Sequence, residues 1–157
     1  MVDAMSIWAF FIIMAVPLSD NSIEHRKPIR KPIIETSDSD AWFEDNIIYV
    51  EMKKGAVIDL EAAEMHIEKW QHFINTHAEI KNFALIVNMK GIKSVSREAR
   101  IYYSKRNDPR SKAVALIIDS QISRIIANFI ISFTPPERPL HLFNSREDAF
   151  LWIKKFI

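Results

Sequence analysis

Phe83-Ala84-Leu85-Ile86-Val87-Asn88-Met89-Lys90-Gly91-Ile92-Lys93-Ser94-Val95-Ser96-Arg97-Glu98-Ala99-Arg100 is the stretch whose reading decides the fold. Residues 83–87 are apolar at odd and even positions alike, the pattern of a strand covered on both faces of a sheet. A short polar loop follows, and Ser96 then stands where a helix N-cap belongs, its hydroxyl placed to accept from a free backbone N–H of the first turn. A buried strand feeding a helix implies an α/β sheet with this strand near its centre. Open sheets of that kind present their functional surface at the carboxyl ends of their strands. Asn88, Lys90, Lys93, Ser94, Ser96, Arg97 and Glu98 form a polar crest at that place, and they are the expected partner-binding residues.

Working outward, Trp42-Phe43 and Ile47–Met52 read as two strands around Glu44-Asp45-Asn46, a hairpin turn by composition. Asp59 is the expected N-cap of a helix reaching to about His77, with Leu60, Ala63, Ile67, Trp70 and Ile74 as its apolar stripe. Downstream of the organising stretch, the helix from Ser96 stops before Asn107-Asp108-Pro109, because a residue preceding proline is pushed out of the α region. Ala113–Ile118 is a second fully apolar strand. A third helix, capped by Asp119 or Ser120, runs to about Phe133, and Leu140–Phe143 is a short last strand. Ser145 and Asp148 open a final helix that buries Ala149, Trp152, Ile153 and Phe156. The fold expectation is α/β: an initial β-hairpin, then strand–helix units, giving a mixed, mostly parallel sheet with four helices.

A chain of 157 residues with 48% hydrophobic residues can bury one core, and is short for two. Lys and Arg number 21 against 20 Asp and Glu, so no positive field draws in nucleic acid. The absence of cysteine removes disulfides, thiolate nucleophiles and Cys-ligated zinc, and fits a reducing compartment. With two glycines, Gly55 and Gly91, neither a phosphate-binding Walker loop nor a dinucleotide fingerprint can be written. No cofactor is expected. His66, His72 and His77 share a helix, but steps of six and five do not stack imidazoles on one face, so all three are expected at the surface and no metal is assigned.

Ile7–Val16 is uniformly apolar, yet a membrane span takes about 20 such residues. No basic residue precedes it, as a secretory leader requires. Residues 1–36 are read as an amino-terminal extension and linker, the stretch from Asp20 to Asp40 being rich in Pro, Ser and Asp, with the domain proper over residues 37–157. A cytoplasmic location is expected. The alternative is export or membrane association through the apolar stretch.

The element order, the phrase Leu85-Ile86-Val87-Asn88-Met89-Lys90-Gly91-Ile92, and the passage from Phe143 through the capped helix to Trp152 resemble the STAS domain, the sulfate-transporter and anti-sigma-factor-antagonist family, especially its stand-alone bacterial relatives. The resemblance covers roughly Ser37 to the end. It implies a non-catalytic regulatory domain that binds a protein partner. In that family the helix after the central strand opens Asp-Ser-Ser-Gly, and its second serine is phosphorylated to switch partner binding. The matching residues here are Ser96, Arg97, Glu98 and Ala99, so glutamate stands at the switch position and a phosphoserine switch is not expected.

The third helix departs from an ordinary surface helix. Ile122, Ile125, Ile126, Phe129, Ile130 and Phe133 leave only a narrow polar stripe of Gln121, Arg124, Asn128 and Ser132. Arg124, Asn128, Phe129 and Phe133 are therefore a second candidate face, for a protein partner, a homodimer contact or an acyl chain. The leading expectation is a partner-binding regulatory domain, and the alternative is a small carrier of lipids or other amphiphiles. A continuous cavity beneath the third helix, lined by Ile and Phe, would favour the carrier; a closed core with an exposed patch would favour the partner-binding module.

Overall fold

The computed structural model describes residues 33–106, 108–119, 121, 124–126, 128 and 138–157. Asp45 and Asn46, both at positive φ (50° and 61°), reverse the chain between β2 (Ser39–Glu44) and β3 (Ile47–Met52). Two left-handed residues of the Asx type are what a tight two-residue hairpin needs, because that turn matches the right-handed twist of the strands. The hairpin pairs without interruption from Ser39 opposite Met52 to Glu44 opposite Ile47.

The linker expectation needs correction at its carboxyl end. β1 (Ile34–Glu35) pairs antiparallel with β2, Ile34 facing Ala41, and Thr36 and Ser39 are buried. The Thr, Ser and Asp content that suggested a linker instead builds a compact reversal, in which Thr36 Oγ1 accepts from Ser39 N at 2.9 Å and donates to Ser39 O at 3.0 Å. Polar side chains that satisfy the backbone locally can be buried at low cost. Residues 1–32, with the apolar stretch Ile7–Val16, lie outside the described residues.

β5 (Phe83–Asn88) runs parallel to β3, β7 (Ser111–Ile117) parallel to β5, and β8 (Leu140–Phe143) parallel to β7. The sheet order is β1-β2-β3-β5-β7-β8, mixed and mainly parallel as the sequence implies. A second, two-stranded sheet was not foreseen: β4 (Val57–Ile58) pairs parallel with β6 (Ser94–Val95). Strands of two residues are too short to show a period.

Asp59 caps α1 (Leu60–Thr76), accepting from Ala62 N at 2.9 Å, and Ser96 caps α2 (Arg97–Ser104), accepting from Ala99 N at 3.1 Å. α3 is described at 121, 124–126 and 128. Ser145 caps α4 (Arg146–Ile153), accepting from Asp148 N at 3.1 Å. The two sheet faces are covered unequally. Ile47, Ala84, Ile86, Ala113, Ala115 and Ile117 meet Ala149 and Ile153 of α4, with alanines allowing close approach. The opposite face, with Ile48, Val50, Leu85, Val87, Val114 and Leu116, lies under α1, α2 and α3. Leu85 and Val87 are only half-buried there, so the central strand is not sealed on both faces as expected. The reason is a space between this face and the helices.

Candidate functional site

That space is a cavity of about 310 Å³, at the lower end of small-molecule sites. Val50, Met52, Leu85, Val87, Val114 and Leu116 form its floor, while Ile67 and Trp70 of α1, Tyr103 of α2 and Ile126 of α3 contribute to its roof. The exposed Lys105 and Arg106 stand on its rim. An apolar void of this size forfeits dispersion contacts on every wall, which is costly unless something occupies it.

At one buried end the wall turns polar. His66 is 7% exposed, contrary to the surface position expected for it. Steps of three and four from Ala63 run through His66, Trp70 and Phe73, so the ring sits on the buried stripe of α1, where Leu60, assigned to that stripe, is instead exposed. His66 Nδ1 is 2.8 Å from Tyr103 Oη, and Nε2 is 3.1 Å from Asp38 Oδ2. Thr36 Oγ1 and Ser39 Oγ lie farther from Nε2, at 3.4 and 3.5 Å. Asp38 Oδ2 is shut off from solvent and takes no aligned hydrogen bond, although His66 Nε2 lies beside it. A carboxylate oxygen this close requires the proton on Nε2, since a ring lone pair would repel it. Nδ1 then accepts from the Tyr103 hydroxyl.

Burial lowers the His66 pKa below its usual 6.5, while Asp38 acts in the opposite direction and Lys69 adds to the lowering. Burial pushes the Tyr103 phenol up, with Asp38 and Tyr102 adding to it. The phenolate is thus disfavoured and Tyr103 is a hydrogen-bonding group, not a nucleophile. Nor do Asp38, His66 and Ser39 form a hydrolytic triad. In a triad the carboxylate holds one ring nitrogen and leaves the other to take the serine proton. Here both groups address Nε2, which carries the ring proton, so it has no lone pair to take the serine proton. Among the described residues no three metal-ligating side chains come together, and no helix is long and apolar enough to cross a membrane.

The crest residues divide into braces and free surface. Asn88 donates to Glu51 Oε2 at 2.8 Å, accepts from Lys90 N at 3.0 Å, and so ties β5 to β3 and to its own loop. Glu51 also takes the Arg146 guanidinium of α4. Burial lowers the Arg146 pKa, against the opposing influence of Tyr49 and Glu147. Gly91 O accepts from Gly55 N at 2.7 Å, and Ala56 O from Lys93 N at 2.8 Å, fixing the loop against the turn before β4. Lys93, Ser94, Arg97 and Glu98 point to solvent, while Lys90 and Ser96 are half-buried. On α3, Arg124 and Asn128 are exposed as expected, Ile126 is buried against the cavity, and Ile125 is 62% exposed. Phe129 and Phe133 lie outside the described residues.

The crest and the buried polar end are different places. Asp38, His66 and Tyr103 were missed because they come from three distant segments. His66 alone left a signal, its place on the stripe.

Residues 41–157 match the profile of a family described as "Domain of unknown function (DUF7793)". The chain belongs to the DUF7793 family. No curated protein matches it. Among solved structures, it is similar to an uncharacterized protein of the DUF3478 family with a SpoIIAA-like fold from Shewanella loihica, at 15% identity and a TM-score of 0.51, over 73% of this chain and 91% of that one. An anti-sigma factor antagonist from Mycobacterium paratuberculosis aligns at 13% identity and a TM-score of 0.43, over 74% and 92%. The SpoIIAA-like fold is the one that the STAS resemblance implies, and this DUF7793 chain has it. The family match begins at Ala41, so His66 and Tyr103 fall within it, whereas Thr36, Asp38 and Ser39 precede it.

Proposed function

We propose that this DUF7793 chain is a non-catalytic binding domain whose cavity holds the apolar part of a small amphiphile. The single observation that carries this reading is the void of about 310 Å³ between the sheet and α1, α2 and α3, apolar along its floor and polar at one buried end. Ligand sites of soluble proteins share that construction. Native mass spectrometry of the protein purified from its own cell is the test. A retained small molecule, lost on denaturation, is the expected result. Protein that carries no adduct, and takes up none of an added medium-chain amphiphile, would overturn it.

The rigid crest favours a second reading, a regulatory contact with a protein partner, in keeping with the STAS resemblance. Lys93, Ser94, Arg97 and Glu98 are exposed on a loop held by β4, β6 and the Asn88 brace, so binding there would cost little ordering entropy. By the STAS resemblance Glu98 stands where that family carries a switchable serine, and a glutamate cannot be phosphorylated there, so this surface is held in one state. Cross-linking in cell extract, compared between the wild type and a Lys93→Glu/Arg97→Glu variant, checks it. Loss of one specific adduct supports a crest partner; an unchanged pattern removes it. A homodimer would show in the same mass spectra.

A further inference from the structure

The protons at the buried end of the cavity can be followed one by one. Asp38 Oδ2, 3.1 Å from His66 Nε2, favours the tautomer with its ring proton on Nε2. The Tyr103 hydroxyl proton goes to His66 Nδ1 at 2.8 Å. Thr36 Oγ1 donates to Ser39 O at 3.0 Å, and Ser39 Oγ lies 3.0 Å from Thr36 Oγ1 in a contact where either oxygen can be the donor. Ser39, His66 and Tyr103 all line the cavity. With the ring proton on Nε2, the Tyr103 hydrogen is committed to His66 Nδ1, and Tyr103 Oη keeps a lone pair to offer.

From this we infer that the Ser39–Tyr103 end of the cavity recognises a hydrogen-bond donor, the hydroxyl of a medium-chain alcohol or similarly headed amphiphile, and discriminates against heads that only accept. The inference rests on the cavity reading above and adds the chemistry of the head group. An acceptor-only head placed against the committed Tyr103 hydroxyl leaves its own oxygen desolvated and unpaired, as well as that of Tyr103. A hydroxyl head meets it with its proton. Burial of Ser39 and His66 strengthens the distinction, because an unpaired polar group costs more away from solvent.

The test uses the full chain and two probes with the same number of heavy atoms, 1-octanol and 2-octanone, titrated at neutral pH. Fluorescence of Trp70, which lines the cavity, gives a readout besides calorimetry. The expected result is about tenfold tighter binding of 1-octanol, the scale of one buried hydrogen bond. Tyr103→Phe should abolish that preference while leaving 2-octanone binding in place. Should Tyr103→Phe fail to fold, Ser39→Ala removes the other acceptor and should narrow the preference in the same direction. Equal affinity for the two probes, or a preference untouched by the variant that folds, overturns the inference and leaves the cavity reading standing. Binding of neither probe overturns both.

Discussion

Asp38 Oδ2 and His66 Nε2 lie 3.1 Å apart at the junction of the β1–β2 turn with α1, with 12% and 8% of their side chains exposed. Because burial outweighs Asp38 and lowers the His66 pKa, the unfolded chain binds this proton more readily than the folded one. Stability therefore rises with pH between the folded value and the ordinary 6.5, and is lost as pH falls through that window. The melting temperature should drop on acidification from pH 7 through the window. In His66→Gln that part of the profile should flatten; a slope that persists would place the titrating group elsewhere.

The amino-terminal boundary is tested by two truncations, one beginning at Ile33 and one at Ser37. The shorter protein loses the bonds from Ile33 N to Ala41 O and from Thr36 N to Ser39 O, the Lys53 Nζ bond to Thr36 O, and the hydroxyl contacts of Thr36. At a net contribution of about 0.5–1.5 kcal/mol each, the difference should be about 2–4 kcal/mol by urea denaturation. Equal midpoints would return residues 33–36 to the linker.

Filling the cavity gives opposite signs for a void and a packed core. Val87→Phe adds volume directly above the floor. Into a void it should be neutral or stabilising by up to about 2 kcal/mol, whereas overpacking a filled core costs about 1–3 kcal/mol. The same variant should lose 1-octanol binding. Destabilisation with binding retained would mean that the ligand sits somewhere other than above Val87.

The chain's two glycines should differ in sensitivity. Gly55 and Gly91 both hold left-handed backbone, φ 82° and 87°. A Cβ at Gly91 would stand 3.3 Å from Lys54 Cα, while one at Gly55 would meet nothing within 4 Å. Each alanine pays about 1–2 kcal/mol for its conformation, and Gly91→Ala adds the crowding of backbone that cannot swing away. Gly91→Ala should thus be the more destabilising in thermal melts; the reverse order would show that the Lys54 backbone yields easily.

What the sequence discloses follows the length of each signal. The central strand, the caps Asp59, Ser96 and Ser145, and the parallel order were all readable, since each is written in contiguous residues or short periods. The β4–β6 pair was not, because two residues carry no period and their pairing spans a helix and a strand. The candidate site was legible only in part. The positions of Arg124 and Asn128 on α3 follow from a helical period. His66 was taken for a surface residue on the strength of its polarity, although its spacing from Ala63 and Trp70 already placed it inward. Its partners Asp38 and Tyr103 sit 28 residues before it and 37 after it in the chain, and no local pattern announces such a meeting. The cavity itself is an absence of packing, which no residue encodes.

The sheet order has a consequence for biosynthesis. Apart from the small β4–β6 pair, strands take their places in the order in which they leave the ribosome, each joining the edge that its predecessor left open. The nascent chain can therefore grow its sheet in one direction, without threading a late strand between earlier ones. The hazard falls late in that sequence. Once β7 has docked, its seven residues Ser111–Ile117 offer an apolar, hydrogen-bond-hungry edge until β8 arrives, and the alanine-lined face stays bare until α4 closes over it. A chain halted with β7 outside the ribosome and β8 still inside it would hold a nearly complete sheet with its most adhesive edge uncovered, and it is there that a chaperone has the most to protect.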